Sequence, residues 1–492
     1  MNALHKIINI LSPEEKRAFT AYLSKKNKRY DVQNINLFML LEGEGTDEDD
    51  FSDKFASIEA YHALRKRLFS SLIAFLGMRR FEDETSAEHT IMQMLLAART
   101  LFEQKLYKEG FRALAKAEAK AMPLEHFALL NDIYHTHIQF AHFSETDDLE
   151  DVIQKFKANR RKMDAEEQMN IAYALLRREL AEIYHKGKVI DFRAFIQETM
   201  EKQGVSAEAL TFKSLYQILF IANEYASINS NYKLVEPFME SAYSFISAKE
   251  SFSEKQLYYH IYILYLLANM HFRNGRFAES KAFLQKMEEQ MQKQGRKYYN
   301  RFLLRYSLLL ALNENYTGNP AVGIAVLQDA LKQEGDETDV ADLRLCLAVL
   351  YLQQNNGTEA SKLMLLFNRT DAWYEKHMGM DWAIKKKLIE VILYIQVEHI
   401  DYALLHLKGF RKRYKKYLES VNEYNVLTYI VLLKELIESP ELFELEHYQN
   451  SVDILLHDVS ETGDIIVMSF VGWMMAAATN RKPYDVIMEL MP

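Results

Sequence analysis

Apolar residues recur along this chain at three- and four-residue spacing, and the pattern repeats itself about every 42 residues over much of its length. A small or slim residue stands at Gly110, Val152, Ala194, Val235, Ser280, Gly323, Ala360 and Ala403, in steps of 42, 42, 41, 45, 43, 37 and 43. Four residues after each come Leu114, Phe156, Glu198, Met239, Leu284, Leu327, Met364 and Leu407, so seven of eight are bulky and apolar. Residues four apart share one helix face. A period of this length predicts stacked helical hairpins, each burying its face against its neighbours because it cannot do so alone.

The hairpin from Leu264 to Met287 sets the register. Its first helix presents Leu264, Leu267, Ala268 and His271, a turn follows at Asn274-Gly275-Arg276, and the second helix presents Phe277, Ser280, Leu284 and Met287. Near Ala194 the register slips, because Glu198 falls where an apolar residue is expected. Residues 1–85 lie outside the repeat and predict a separate helical module. Ser12, Pro13 and Glu15 form a capping box that opens its first helix. A second helix is expected over Val32 to Leu41, and the stretch around Asp47-Glu48-Asp49-Asp50 reads as an acidic surface loop. A third follows, with Ile58, Tyr61, Leu64, Leu68, Leu72 and Phe75 on one face. After Pro440 the repeat fades. The expected division is therefore 1–85, 86–440 for the repeats, and 441–492 for helices that seal the end of the stack.

Ala268, Gly275 and Phe277 resemble a tetratricopeptide repeat, a family with a small residue where two helices touch, a Gly in the turn and an aromatic just after it. Comparable sets are Ala98, Tyr107 and Gly110; Ala311, Gly318 and Gly323; and Ala348, Tyr351 and Ala360. The resemblance covers roughly residues 88–418 and implies an all-α fold, a superhelical array of antiparallel helix pairs with a concave face. The typical tetratricopeptide period is about 34 residues, whereas a period near 42 is that of HEAT and armadillo hairpins, which are the alternative stacking. The layout, with a closing helix around Trp473, is also similar to uncharacterised repeat proteins of Bacteroidetes.

Composition narrows the class of protein. Only 16 Gly and 7 Pro occur among 492 residues, as expected of a chain that is almost wholly helical. The net charge of -9 argues against nucleic acid as the main partner. The lone Cys346 permits no internal disulfide and points to the cytoplasm. The segment from Met1 to Leu11 lacks the apolar centre of a signal peptide. Ile465 to Ala478, the longest apolar run, is too short to span a bilayer and reads as a buried helix.

No phosphate-binding Gly-rich loop, nucleophile elbow, metalloprotease helix or paired-cysteine zinc motif is present, so neither a cofactor nor an enzymatic reaction is expected. His135, His137 and His142 cannot jointly hold one metal ion, since residues two apart on a helix diverge and residues seven apart lie about 10 Å apart along it. The acidic run at Asp47 to Asp50 lacks the glycine and bidentate glutamate of a calcium loop. Cys346 sits in an apolar helical setting and reads as a small hydrophobe.

By analogy with tetratricopeptide repeats, Tyr262, Tyr265, Asn269, Phe272, Arg273 and Arg305 would line the concave groove and hold an extended peptide or an acidic tail. Asn bonds a peptide backbone, Arg forks a carboxylate, and the rings supply contact area, although rings at helical spacing also build hairpin cores. A basic patch is expected at Lys408, Arg411, Lys412, Arg413, Lys415 and Lys416, near Lys385, Lys386 and Lys387 and interleaved with Tyr414 and Tyr417. The reading that follows is a cytoplasmic, non-catalytic scaffold or adaptor for a protein or peptide partner. Its alternative is a transcription regulator whose locally basic N-terminal module contacts DNA while the repeats sense a ligand. The long acidic connection between its second and third helices does not suit a helix-turn-helix.

Overall fold

The computed structural model describes residues 4, 7–8, 11, 13–26, 32–42, 57–83, 87–143, 149–186, 191–205, 211–228, 231–237, 239–240, 243, 256–333, 335–421, 423–439, 446–462 and 465–491. Among them there are 23 α-helices and no strand. They are α1 (Pro13–Lys26), α2 (Val32–Glu42), α3 (Ile58–Asp83), α4 (Ala87–Glu103), α5 (Tyr107–Ala121), α6 (Phe127–Phe140), α7 (Leu149–Lys186) and α8 (Phe192–Lys202). Then follow α9 (Phe212–Ile228), α10 (Leu257–Arg273), α11 (Phe277–Met291), α12 (Lys293–Arg296), α13 (Tyr299–Tyr316), α14 (Pro320–Ala330), α15 (Glu337–Gln353) and α16 (Gly357–Met364). The chain ends with α17 (Asp371–Met378), α18 (Met380–Gln396), α19 (Ile400–Ser420), α20 (Tyr424–Glu438), α21 (Glu446–Thr462), α22 (Ile465–Ala478) and α23 (Pro483–Leu490). Two compact units are formed, one by residues 1–122 and 132–152, the other by 123–131 and 153–492.

In the first unit, α1, α2 and α3 close around Phe19, whose ring lies 5.1 Å from those of both Phe38 and Phe75. Tyr61, Leu64, Leu68, Leu72 and Phe75 are buried as the helix pattern requires, but Ile58, expected on the same face, is exposed. It begins the helix, one turn before the packed stretch. Ser12 and the acidic run Asp47 to Asp50 lie outside the described residues. A pair, α4 and α5, completes the unit together with residues 132–140 of α6, where Phe102 stacks on Phe140 at 4.4 Å.

Five hairpins, α4/α5, α10/α11, α13/α14, α15/α16 and α18/α19, share one turn. Each has a single residue with left-handed backbone: Lys105 (φ 61°), Gly275 (75°), Gly318 (93°), Asn355 (61°) and Glu398 (59°). The next N–H in each donates to the carbonyl five residues back: Leu106 to Leu101 and Arg276 to His271 at 2.9 Å, Asn319 to Glu314 at 2.9 Å, Asn356 to Tyr351 and His399 to Tyr394 at 2.8 Å. This closure satisfies carbonyls that the ending helix leaves open. Five residues beyond each left-handed residue comes the small one of the sequence period: Gly110, Ser280, Gly323, Ala360 and Ala403. Twelve before it, on the first helix, stand Ala98, Ala268, Ala311, Ala348 and Val391, all 0% exposed. The approach is close enough that a Cβ on Gly323 would sit 2.6 Å from the Ala311 carbonyl oxygen. Ser280 turns the same proximity into a bond, its Oγ donating to the Ala268 carbonyl at 2.8 Å.

The period fails where the turn is missing. A continuous helix, α7, runs 38 residues with neither Gly nor Pro, where the repeat called for a break. The next helix, α8, is entered through Asp191, whose carboxylate accepts from the Ala194 N–H at 3.0 Å. Ala194 is consequently exposed, and Phe195 and Thr199, one residue on, face inward.

In the second unit the first helices of successive pairs lie beside one another, α9 on α10, α10 on α13, α13 on α15 and α15 on α18. A ladder of side-chain bonds joins them. Asn269 donates to Asn223 (3.0 Å), Arg305 to Tyr262 (2.7 Å), Asn315 to Gln353 (2.9 Å) and Trp382 to Asp342 (2.8 Å). First helices of 17 or 18 residues help account for a repeat longer than 34.

The last pair, α22/α23, packs on α20 and also returns to helices 150 residues earlier in the chain. Tyr484 donates to the Asn315 carbonyl at 2.6 Å, Tyr316 and Ser469 share a 2.6 Å bond, and Ile487 is buried with Phe272, Phe302 and Leu309. Sealing one end of a stack needs contact with the preceding pair only. Here the C-terminal segment also covers the C-terminal ends of α13 and α15.

Two substitutions test the hairpin. Gly323→Ala should cost about 2 kcal/mol, because the backbone contact leaves no room for the methyl group despite Ala's better helix propensity. Glu398→Gly should instead stabilise by up to about 1 kcal/mol by relieving the left-handed backbone. Thermal melts of both variants check the opposite signs.

Candidate functional site

A cavity of about 290 Å³ lies on the row of first helices. It is walled by Asn223 and Glu224 from α9, Tyr262 and Tyr265 from α10, Arg305 and Leu308 from α13, and Thr338, Asp339 and Asp342 from α15. The 3- and 4-residue spacings on α10, α13 and α15 place these side chains on one face of each helix.

Two of its charged groups, Arg305 and Asp339, are bound to each other. Arg305 donates through Nε to Asp339 Oδ1 at 3.2 Å and through Nη1 to the Tyr262 hydroxyl at 2.7 Å, with its guanidinium 5.5 Å from the Tyr262 ring centre. Asp342 accepts from Trp382 Nε1 at 2.8 Å. Burial pushes the Asp342 carboxyl up to about 6, helped by the neighbouring Asp339 charge and opposed by the Trp382 bond and Arg305. Burial also raises the phenols of Tyr262 and Tyr265. A strongly shifted carboxyl in a cleft is a mark of functional sites.

Of the six groove residues named from the sequence, Tyr262, Tyr265 and Arg305 line this cavity together. Asn269 lies beside it in the ladder to Asn223. Phe272 is 1% exposed and packs between hairpins near Phe277 and Tyr316, so it belongs to the core. Arg273 lies with its guanidinium 4.8 Å from the Tyr232 ring centre, away from the cavity. The sequence reading missed the acidic wall of Glu224, Asp339 and Asp342. Asp339 sits in the first turn of α15, where acidic residues are ordinary partners of the helix dipole. The available signal was Asp342, one turn further in, shortly before the apolar run from Leu345 to Leu352.

The basic patch is divided by packing. Lys408, Arg411, Lys412, Lys415 and Lys416 are exposed along α19, while Arg413 binds Glu375 through two nitrogens, Nη2 reaching Oε2 at 2.9 Å. Tyr414 is buried in the hairpin and Tyr417 half-buried, so the rings do not interleave with the cations on the surface. Lys386 is buried against Glu390, Lys387 bonds Glu390 and Asp371, and Lys385 bonds Asp381. Burial tends to raise Glu390, but bonds from His406, Lys386 and Lys387 outweigh it and hold it at about 2.

His135, His137 and His142 do not converge: His137 lies against Phe111 and His142 against Phe143. Among the described residues, three possible metal ligands come together at Glu236, Glu240 and His271. Arg276 forms ion pairs with both of those carboxylates and supplies the positive charge there. Burial, together with the neighbouring Asp342 charge, pushes the Cys346 thiol up to about 12, so it stays protonated at neutral pH. No described helix is long and apolar enough to cross a membrane. No family model and no curated protein matches this chain.

Asp342 generates a signed prediction. Its folded value lies above that of the unfolded chain, so ionisation opposes folding and stability falls as pH rises from about 4 to about 6. Asp342→Asn keeps an acceptor for Trp382 and removes the charge. It should raise stability by up to about 3 kcal/mol at pH 7.5 and leave it nearly unchanged at pH 4, as read by denaturant unfolding at the two pH values.

Proposed function

We propose that this chain is a non-catalytic scaffold of the cytoplasm that binds a protein or peptide along the face of its first helices. The paired helices are read as a tetratricopeptide-like superhelical array, an α-solenoid. The observation that carries the proposal is the cavity on α9, α10, α13 and α15, whose walls are held by the ladder and by the hairpin cores before any partner arrives. A preformed site avoids the entropy of ordering the scaffold on binding. The shared turn and the small contact twelve residues apart support the stacked arrangement, since each pair repeats the geometry that sets its first helix beside the next.

The return of α22/α23 limits the accessible face. It covers Asn315, Tyr316 and Gln353, which are 0%, 4% and 2% exposed, so a partner meets the N-terminal halves of α13 and α15 and the cavity beside them.

Selection of displayed peptides on the immobilised full-length protein tests this reading. Peptides should be enriched, and Thr338→Trp, which fills the cavity rim from a half-buried position, should weaken their binding at least tenfold while the melting temperature stays within a few degrees. Failure to enrich any peptide, or binding indifferent to the filled rim, would overturn it.

A further inference from the structure

Outside the cavity, three side chains able to hold a metal ion converge beside the turn of the α10/α11 hairpin. Glu236 and Glu240 stand four residues apart, the spacing that puts two side chains on one helix face, and His271 lies in the last turn of α10. A carboxylate oxygen of each glutamate and a ring nitrogen of His271 all lie within 4.8 Å of one another. Zinc bonds of about 2.1 Å in a tetrahedron put ligand atoms about 3.4 Å apart, so side-chain shifts of about 1 Å bring the set to coordination distance.

The histidine is the observation that points to a ligand. It is 4% exposed, and among the described residues neither ring nitrogen has a hydrogen-bond partner, Nδ1 being fully enclosed. Burial, with the Arg276 charge beside it, holds the ring below the usual histidine range against the pull of Glu236, Glu240 and Glu279, so it is neutral at neutral pH. A neutral imidazole keeps one lone pair, and here nothing in the fold donates to it. An enclosed polar atom left without a partner is costly. The ring is also fixed in place, stacked on Phe283 with centres 5.2 Å apart and planes at 9°.

The two carboxylates already attract a cation. Arg276 reaches both through Nη1, Glu236 closely and Glu240 at 3.4 Å, and Asn274 donates to Glu236 Oε2 at 3.0 Å. The Arg276 backbone is tied, its N–H donating to the His271 carbonyl at 2.9 Å, but its side chain is 45% exposed and can swing into solvent. The guanidinium serves the carboxylates and leaves the imidazole lone pair unused, whereas a divalent ion engages all three groups. One nitrogen and two oxygens suit a borderline ion such as Zn²⁺ rather than Mg²⁺ or Ca²⁺, which take oxygen ligands.

We infer that Glu236, Glu240 and His271 form a binding site for a divalent ion of the zinc class, and that the ion displaces the Arg276 guanidinium to enter it. The inference goes beyond the scaffold reading, and the two stand or fall separately. The bound ion ties Glu236 and Glu240 to the α10/α11 hairpin and stabilises the folded chain.

Calorimetric titration of Zn²⁺ into the metal-free, full-length protein tests it. An ion should bind at this site and raise the melting temperature, and excess Mg²⁺ should not displace it. Glu240→Gln, at an exposed position, and His271→Phe, which keeps a ring against Phe283, should each weaken that binding about tenfold or more. Arg276→Gln should tighten it severalfold, because the competing cation is gone; a group of residues serving only as an ion pair would show no such gain. Absence of zinc binding, zinc held at other sites only and so indifferent to Glu240→Gln or to His271→Phe, or an affinity not raised by Arg276→Gln would overturn the inference.

Discussion

The close approach of two helices across a left-handed turn is the constraint on which the rest of the molecule depends. A residue with positive φ ends the first helix, and five residues later a side chain no larger than Ala or Ser lies against the first helix twelve residues back. Gly323 against the Ala311 carbonyl and Ser280 bonded to the Ala268 carbonyl show the two ways of meeting it. The approach fixes how the second helix sits on the first, and therefore which faces of the first helix remain for its neighbours. Polar bonds such as Asn315 to Gln353 and Arg305 to Tyr262 then join successive first helices, where apolar packing alone would tolerate sliding.

That arrangement has a functional consequence in the second unit. The ladder leaves a polar face on the row of first helices, and the chain divides this face in two. The C-terminal pair takes the part over Asn315, Tyr316 and Gln353, using Tyr484, Ser469 and Ile487. The part over Tyr262, Tyr265, Arg305, Asp339 and Asp342 is left as a cavity. Its carboxylates are arranged unlike those of the surrounding surface. Glu390, for comparison, is surrounded by His406, Lys386 and Lys387 and held at about 2, whereas Asp342 rises to about 6 with one N–H donor. The first carboxylate has three side-chain donors and the second a single indole N–H.

Much of the helix pairing was legible in the sequence, because the close approach restricts side-chain size and so leaves a period. Gly110, Ser280, Gly323, Ala360 and Ala403 all mark it. The turn itself was only partly legible, since Gly stands at the left-handed position in two of the five hairpins and Lys105, Asn355 and Glu398 fill the others at some conformational cost. Ala194 was misplaced by one residue because α7 runs through the expected break, and the absence of Gly and Pro over 149–186 was the signal for that. The return of α22/α23 left no local trace, as contacts across about 150 residues impose no spacing on either segment. At the cavity, Tyr262, Tyr265 and Arg305 were found from their register on the first helices. The acidic wall was not, because Asp339 and Asp342 carry no periodic mark and acquire their character only from burial.

Amide hydrogen exchange on the native chain tests the central constraint most directly. If the left-handed turn and its small-residue contact are built alike in all five hairpins, the N–H groups of Leu106, Arg276, Asn319, Asn356 and His399 should exchange slowly, each held by the carbonyl five residues before it. Rapid exchange at these five positions, at the rate of open surface connections, would contradict the account.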